Sequence, residues 1–125
     1  MFDDLLDKKF KDFGRGPDEY DCYGLALEVS DRLGKYLPDY GSLASNAAKQ
    51  IDTKVGTYKS QFEKVKKPDK GDLVLIINGR YDCHLGIVIS RGVFIHIKKG
   101  RGVQQIRLDH PLYKSRIEGF YRYVG

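Results

Sequence analysis

Cysteine and histidine are both scarce. The 125 residues hold two cysteines, Cys22 and Cys83, too few for a disulfide framework in a domain of this size. Histidine occurs three times, at His84, His96 and His110. No apolar run approaches the roughly 20 residues that a membrane helix needs, so membrane insertion is not expected. The opening residues, MFDDLLDKKF, are acidic where a secretory signal is basic, and they lack its apolar stretch. The expectation is a protein without an ordinary signal peptide. Internal repeats and low-complexity tracts are missing as well. So is a basic stripe: 22 Lys and Arg against 17 Asp and Glu leave +5. The short clusters at Lys64, Lys66, Lys67 and at Lys98, Lys99, Arg101 read as solvated loops. A nucleic-acid-binding module is therefore disfavoured, while an anionic envelope polymer suits the mild excess of positive charge.

The remaining composition, 41% hydrophobic and 31% charged, is that of a globular protein. Its length fits one domain spanning 1–125, large enough to bury roughly two-thirds of its unfolded surface. Leu5, Leu6, Lys9 and Phe10 predict a short amphipathic helix, broken at Gly14, Gly16 and Pro17. A second helix is predicted from Asp21 to about Tyr36, stopping at Gly34 or just before Pro38, with Leu25, Val29, Arg32 and Leu33 on one stripe. Weaker helical periodicity runs over 43–66, around Ala44, Ala47, Ala48 and Ile51. After Pro68 the texture changes to short β-rich runs: Asp72 to Ile77, Leu85 to Ile89, Val93 to Ile97, Val103 to Leu108 and Ile117 to Val124. LVLII and LGIVI are almost continuously apolar, so both faces of those strands must be covered. Helices first and strands second predict an α+β fold.

Cys22 stands in EYDCYGLALEV, at the start of the second predicted helix. Unpaired amides and the helix dipole at that end would favour a thiolate and lower the thiol pKa. The bland alternative is a small buried hydrophobe, a common fate for a free cysteine. His84 opens CHLGIVI and His96 lies inside VFIHI, with Ser90-Arg91-Gly92 as the turn between them. If the loop is odd and centred on Ser90, the two histidines pair directly across a hairpin and share a face. One imidazole could then act as base to the thiol while the second orients it. Gly86, on the same face, would admit a helix closely. A zinc site is disfavoured, because Cys83 and His84 are adjacent in a strand and point to opposite faces. Alternation likewise makes Cys83 structural.

EYDCYGLALEV, LPDYG, KGDLVLI, CHLGIVISRGVFIHI and RIEGFYRYV together resemble the NlpC-type cysteine peptidase family, and most nearly its single-domain branch associated with bacteriophage tails. The resemblance runs from about Phe10 to Tyr123. It implies a papain-like core, with N-terminal helices packed on a curled, mainly antiparallel sheet of about five strands. It implies a cell-wall endopeptidase that cuts peptidoglycan, typically between D-γ-glutamate and diaminopimelate or lysine, with no metal or cofactor. Matched position by position, Cys22 is the nucleophile, His84 the general base and His96 the orienting third residue. Asp21 is the aspartate that precedes the nucleophile. Tyr23 stands where many members have serine. Phe10 stands where many have a tyrosine whose hydroxyl lies near the oxyanion, which leaves Tyr20 as a replacement donor. The implied setting is a virion tail tip acting at the bacterial wall, with other tail-tip proteins as partners. A structural tail protein of low activity and a thiol acyltransferase are the alternatives.

Overall fold

The computed structural model describes residues 2–39, 61–77 and 83–125, with Cys83 described through its backbone alone. Helix α1 (Cys22–Arg32) starts where the sequence places it. Asp21 caps it from an extended backbone, and Asp21 Oδ1 accepts the Gly24 amide at 2.6 Å. That satisfies one of the amides the first turn leaves unpaired. The helix ends at the earlier of the two expected stops. Gly34, at φ +72°, turns the chain, and Ser30 closes the end by accepting the Lys35 amide and donating its hydroxyl to the Lys35 carbonyl. Leu25, Ala26 and Val29 are buried, whereas Arg32 lies outside the stripe and pairs with Asp4 and Glu28 at the surface.

The predicted N-terminal helix is not formed. A single 3₁₀ turn at Asp3–Leu5 is followed by a short strand β1 (Lys9–Phe10), paired in parallel with β2 (Glu19–Tyr20). Backbone bonds from Lys9 to Asp18 and from Lys11 to Tyr20 outweigh the weak helical pattern of so short a segment. Phe2 and Leu5 are the buried hydrophobic side chains described before Tyr20, and Leu6 is exposed.

Strands β3 (Phe62–Val65), β4 (Leu73–Ile77), β5 (Cys83–Ser90), β6 (Val93–Lys98), β7 (Gly102–Arg107) and β8 (Ile117–Tyr123) form one antiparallel sheet in the order β3-β8-β4-β5-β6-β7. The sixth strand beyond the expected five is β3, which falls within 43–66, where helical periodicity was read. The part of that stretch up to residue 60 lies outside the described residues. Helix α1 packs across β5 and β6, and one core layer joins Leu25 and Val29 to Leu73, Leu85, Ile87, Ile95 and Ile97. On the other face Val74, Ile76, Val88 and Phe94 meet Tyr113 from the short helix α2 (Pro111–Lys114). The apolar runs of β4, β5 and β6 are thus covered on both sides, as their composition requires.

The β5–β6 hairpin differs from the sequence expectation in its count. Its turn is Arg91-Gly92, with Gly92 at φ +80°, rather than an odd loop centred on Ser90. The register passes from Val88↔Phe94 to Ser90↔Val93, so Ile89 is an extra residue, a β-bulge. Continuing Ile87↔Ile95 by one step sets His96 opposite Gly86, and His84 one diagonal step away on the same face. The bulge restores the parity that a two-residue turn alone would have lost. Gly86 makes room for β6 and not for a helix: a Cβ there would lie 2.9 Å from a Phe94 ring carbon, 3.1 Å from the Ile95 carbonyl and 3.4 Å from His96 Cβ.

Candidate active site

Cys22 is the first residue of α1 and is half-buried. Three amides influence its thiol: its own, that of Tyr23 and that of Leu85. The Leu85 amide belongs to the peptide that joins His84 to Leu85. Strand amides lie in the plane of a sheet. The thiol therefore lies against the start of β5, at a stretch where the ladder to β6, which runs from Ile87↔Ile95 towards the turn, has not begun. The helix end and the start of β5 are thereby joined at His84, which is itself half-buried.

The electrostatics overturn one expectation. Burial, followed by the charge of Asp21, pushes the Cys22 thiol up to about 12, against the three amides that favour its ionised form. Desolvation outweighs the field of the helix end. Cys22 therefore rests as a neutral thiol rather than a preformed thiolate.

Asp21 is fully buried, and its role is structural as well as electrostatic. Oδ1 accepts from Gly24 and from Arg15 Nη1 at 2.9 Å, while Oδ2 is buried without a partner. Arg15 is shared: it also grips Asp39 through Nε and Nη2 at 3.0 and 3.2 Å, and its guanidinium lies 6.0 Å from the centre of the Tyr23 ring. The Gly14 carbonyl accepts the Asp21 amide and Arg15 Nη1. Gly24 admits that carbonyl, since a Cβ would sit 2.0 Å from it. This is the physical reason for the glycine two residues after the cysteine: the loop over 11–21 rests on the first turn of the helix.

Tyr20 does not reach the helix start as a donor. Its ring is buried against Gly16, and its hydroxyl donates to Glu28 at 3.4 Å, well along α1. Phe10 pairs with Tyr20 across the β1–β2 ladder and packs on the main core. The amides gathered at the start of α1 are the donors present there.

His96 is buried, and its Nε2 meets Gln104 Oε1 at 3.3 Å, its partner in the β6–β7 register. Its Nδ1 is buried without a hydrogen bond, so the direct bond to His84 expected from the sequence is not made in this state. Two rings hold it edge-on, Phe94 and Tyr113, each with its centre 5.4 Å away. Burial lowers its pKa to about 4, with the nearby charge of His84 acting in the same direction and Gln104 against it. His96 is thus neutral at physiological pH. Gln104, Tyr113 and Arg15 carried no signal in the sequence, because register and tertiary packing alone bring them here. His110 is apart, as the cap of α2. Among the described residues, no group of three or more His, Cys, Asp and Glu side chains is placed to hold a metal ion.

Comparison with solved structures places this architecture among known folds. An NlpC/P60 family protein from Bacillus cereus ATCC 10987 is 23% identical with TM-score 0.65, over 97% of this chain and 37% of its own. NlpC1 from Trichomonas vaginalis is 20% identical with TM-score 0.63, over 95% and 40%. A protein of the same family from Staphylococcus aureus subsp. aureus Mu50, described as similar to lipoprotein, is 18% identical with TM-score 0.60, over 99% and 39%. The chain therefore spans about two-fifths of the length of each of these proteins. Comparison with curated proteins gives no significant match. The family model for NlpC/P60 matches residues 7–122, which takes in the capped helix start, the β5–β6 hairpin and nearly all of β8. A chain matched over that span, with this sheet order and this helix, belongs to the NlpC/P60 family, whose members are in general cell-wall cysteine peptidases.

Proposed function

We propose that the protein hydrolyses peptide bonds of bacterial peptidoglycan through Cys22, His84 and His96. The observation that carries this reading is the meeting of the Cys22 thiol with the amide that follows His84, at the open start of β5. Because the thiol rests neutral, its proton passes to His84 as sulfur attacks the scissile carbonyl. The carbonyl oxygen becomes an oxyanion beside the Cys22 amide, at the positive end of α1. His84, now protonated, gives that proton to the departing amine, and a thioester remains on Cys22. A water deprotonated by His84 then releases the acid and restores the thiol.

The bond between D-γ-glutamate and diaminopimelate or lysine is the proposed point of cleavage, on the strength of the motif resemblance. The same resemblance supports a phage tail tip as the setting and other tail-tip proteins as partners. Defined muropeptides incubated with the protein and read by mass test the reading. Hydrolysis products are expected from the wild type and from Cys83→Ala, and none from Cys22→Ala or His84→Ala. Products carrying a new amine in place of water would identify an acyltransferase instead. No product from any muropeptide would leave a structural tail protein.

A further inference from the structure

Gln104 lies outside the three residues that motif comparison matches, and the structure gives it a specific partner. It sits opposite His96 in the β6–β7 ladder, with Oε1 3.3 Å from His96 Nε2. An amide oxygen only accepts, so with Oε1 turned to the ring this contact matches the tautomer that carries the proton on Nε2. The other nitrogen, Nδ1, then carries a lone pair. That atom is buried and has no hydrogen-bond partner. An unpaired buried acceptor is costly unless a donor arrives at some stage of function. The groups around the ring narrow the choice. Phe94 and Tyr113 lie crosswise to the ring with centres 5.4 Å away, Lys98 follows on the same strand, and His84 acts on it electrostatically from the same face, one diagonal step away.

We propose that Gln104 is a positioning residue: it fixes His96 as the Nε2–H tautomer and so presents the Nδ1 lone pair to the N–H of His84. When His84 takes the thiol proton, both its nitrogens carry hydrogen, and the one turned from the sulfur has an acceptor waiting. No proton moves to His96; it receives a hydrogen bond and returns nothing. The buried rings of Phe94 and Tyr113 keep water from competing for that lone pair. In this arrangement the third residue of the site acts as an acceptor whose tautomer is set from a fourth strand position. The role in turnover rests on the peptidase reading above; the tautomer does not.

The test uses full-length protein labelled with ¹⁵N-histidine. Long-range ¹H–¹⁵N correlation at neutral pH reads which nitrogen of His96 is protonated, without substrate. In the wild type Nε2 is expected to carry the proton. Gln104→Met removes the amide at nearly constant volume, and His96 is expected to become a mixture of tautomers. Gln104→Glu keeps an acceptor and is expected to hold the Nε2–H form. Muropeptide turnover is measured on the same samples. Gln104→Met is expected to lower kcat roughly tenfold, the lower end of what losing a partner that orients a functional imidazole costs, with KM unchanged and with kcat restored towards wild type in Gln104→Glu. A proton on Nδ1 in the wild type overturns the assignment. So does an unaltered tautomer in Gln104→Met. A tautomer that changes while kcat does not overturns the positioning role. If no muropeptide is cleaved by wild type, the peptidase reading fails while the tautomer measurement still decides the assignment.

Discussion

Gly24→Ala sets two effects of known sign against each other at the start of α1. Alanine is the better helix former, by about 1 kcal/mol in a helix interior. Its Cβ would lie 2.0 Å from the Gly14 carbonyl oxygen and 3.1 Å from Asp21 Oδ1. Carbon and oxygen approach no closer than about 3.3 Å without strain, so the carbonyl must retreat by more than 1 Å. That oxygen accepts the Asp21 amide at 3.2 Å and Arg15 Nη1 at 3.0 Å, and the retreat weakens both bonds. Two hydrogen bonds are worth about 2 kcal/mol, and overpacking adds about 1–3 kcal/mol. Sterics win. The net loss is about 2–4 kcal/mol, which for a domain of this length lowers Tm by at least about 6 °C. Urea unfolding and a thermal melt of both proteins measure it. The same shift releases the loop that seats Cys22, so peptidase activity should fall further than the loss of folded protein explains. A variant as stable as wild type, or more stable, would refute the claim that this glycine exists for the loop.

The remaining predictions concern titration and one ion pair. The Cys22 thiol rises from 9.0 to about 12 on folding, so between those values the unfolded chain has released a proton that the folded one keeps. Stability is therefore lost as pH rises from about 9 to about 12, and Cys22→Ala should flatten that limb of a stability–pH curve. His96 falls from 6.5 to about 4, so the unfolded chain binds the extra proton in that window and stability is lost as pH drops through it. His96→Asn should flatten the acid limb, which denaturant titrations between pH 4 and pH 7 would show. Arg122 holds the buried Asp72 through Nε and Nη2, each at 2.8 Å, while Asp72 also accepts the Asp69 amide. Arg122→Met leaves that carboxylate buried and half-paired. Because the arginine side chain is 44% exposed, the loss should be about 1–2 kcal/mol rather than the larger figure for a fully buried pair, and it should appear in urea midpoints.

How far the sequence could be read follows from what each feature depends on. The start of α1 was legible because an N-cap aspartate before a regular apolar stripe is a local signal. Strands β4 to β8 were legible because runs such as LVLII and LGIVI tolerate no other home than a covered sheet. The N-terminal segment was not: its apolar spacing suits a helix, yet pairing with residues 18–20 decides it, and that contact is not local. The end of α1 turned on Gly34, one of two stops already visible, and only the backbone chose between them. The site was legible as residue types and not as contacts. His84 and His96 share a face, but through a bulge at Ile89 that no pattern of side chains announces. Gln104 stands beside His96 only after a second hairpin has been counted. The thiol pKa went the wrong way because burial was invisible while the helix end was not.

Gly86→Ala asks whether the spacing between the two histidines matters to function more than to folding. The added Cβ would meet a Phe94 ring carbon at 2.9 Å, the Ile95 carbonyl at 3.1 Å and His96 Cβ at 3.4 Å. Phe94 is fully buried and packed against Tyr113, so its ring cannot swing clear. Strand β6 must give instead, by a few tenths of an ångström, carrying His96 away from His84. Alanine recovers about 0.5–1 kcal/mol of backbone entropy against an overpacking loss of about 1–3 kcal/mol, so stability should fall by only about 1 kcal/mol. Turnover should fall more, since small misplacements near reacting groups cost disproportionately. Gly119→Ala is the control. Its Cβ would meet Lys64 Cε at 2.6 Å, but that is the end of a flexible, partly exposed side chain that can swing aside. It should be near neutral in stability and unchanged in kcat. Melting curves and muropeptide turnover on the three proteins separate the two effects. If Gly86→Ala turns over at the wild-type rate, the relation of His96 to His84 is incidental, and the site reduces to Cys22 and His84.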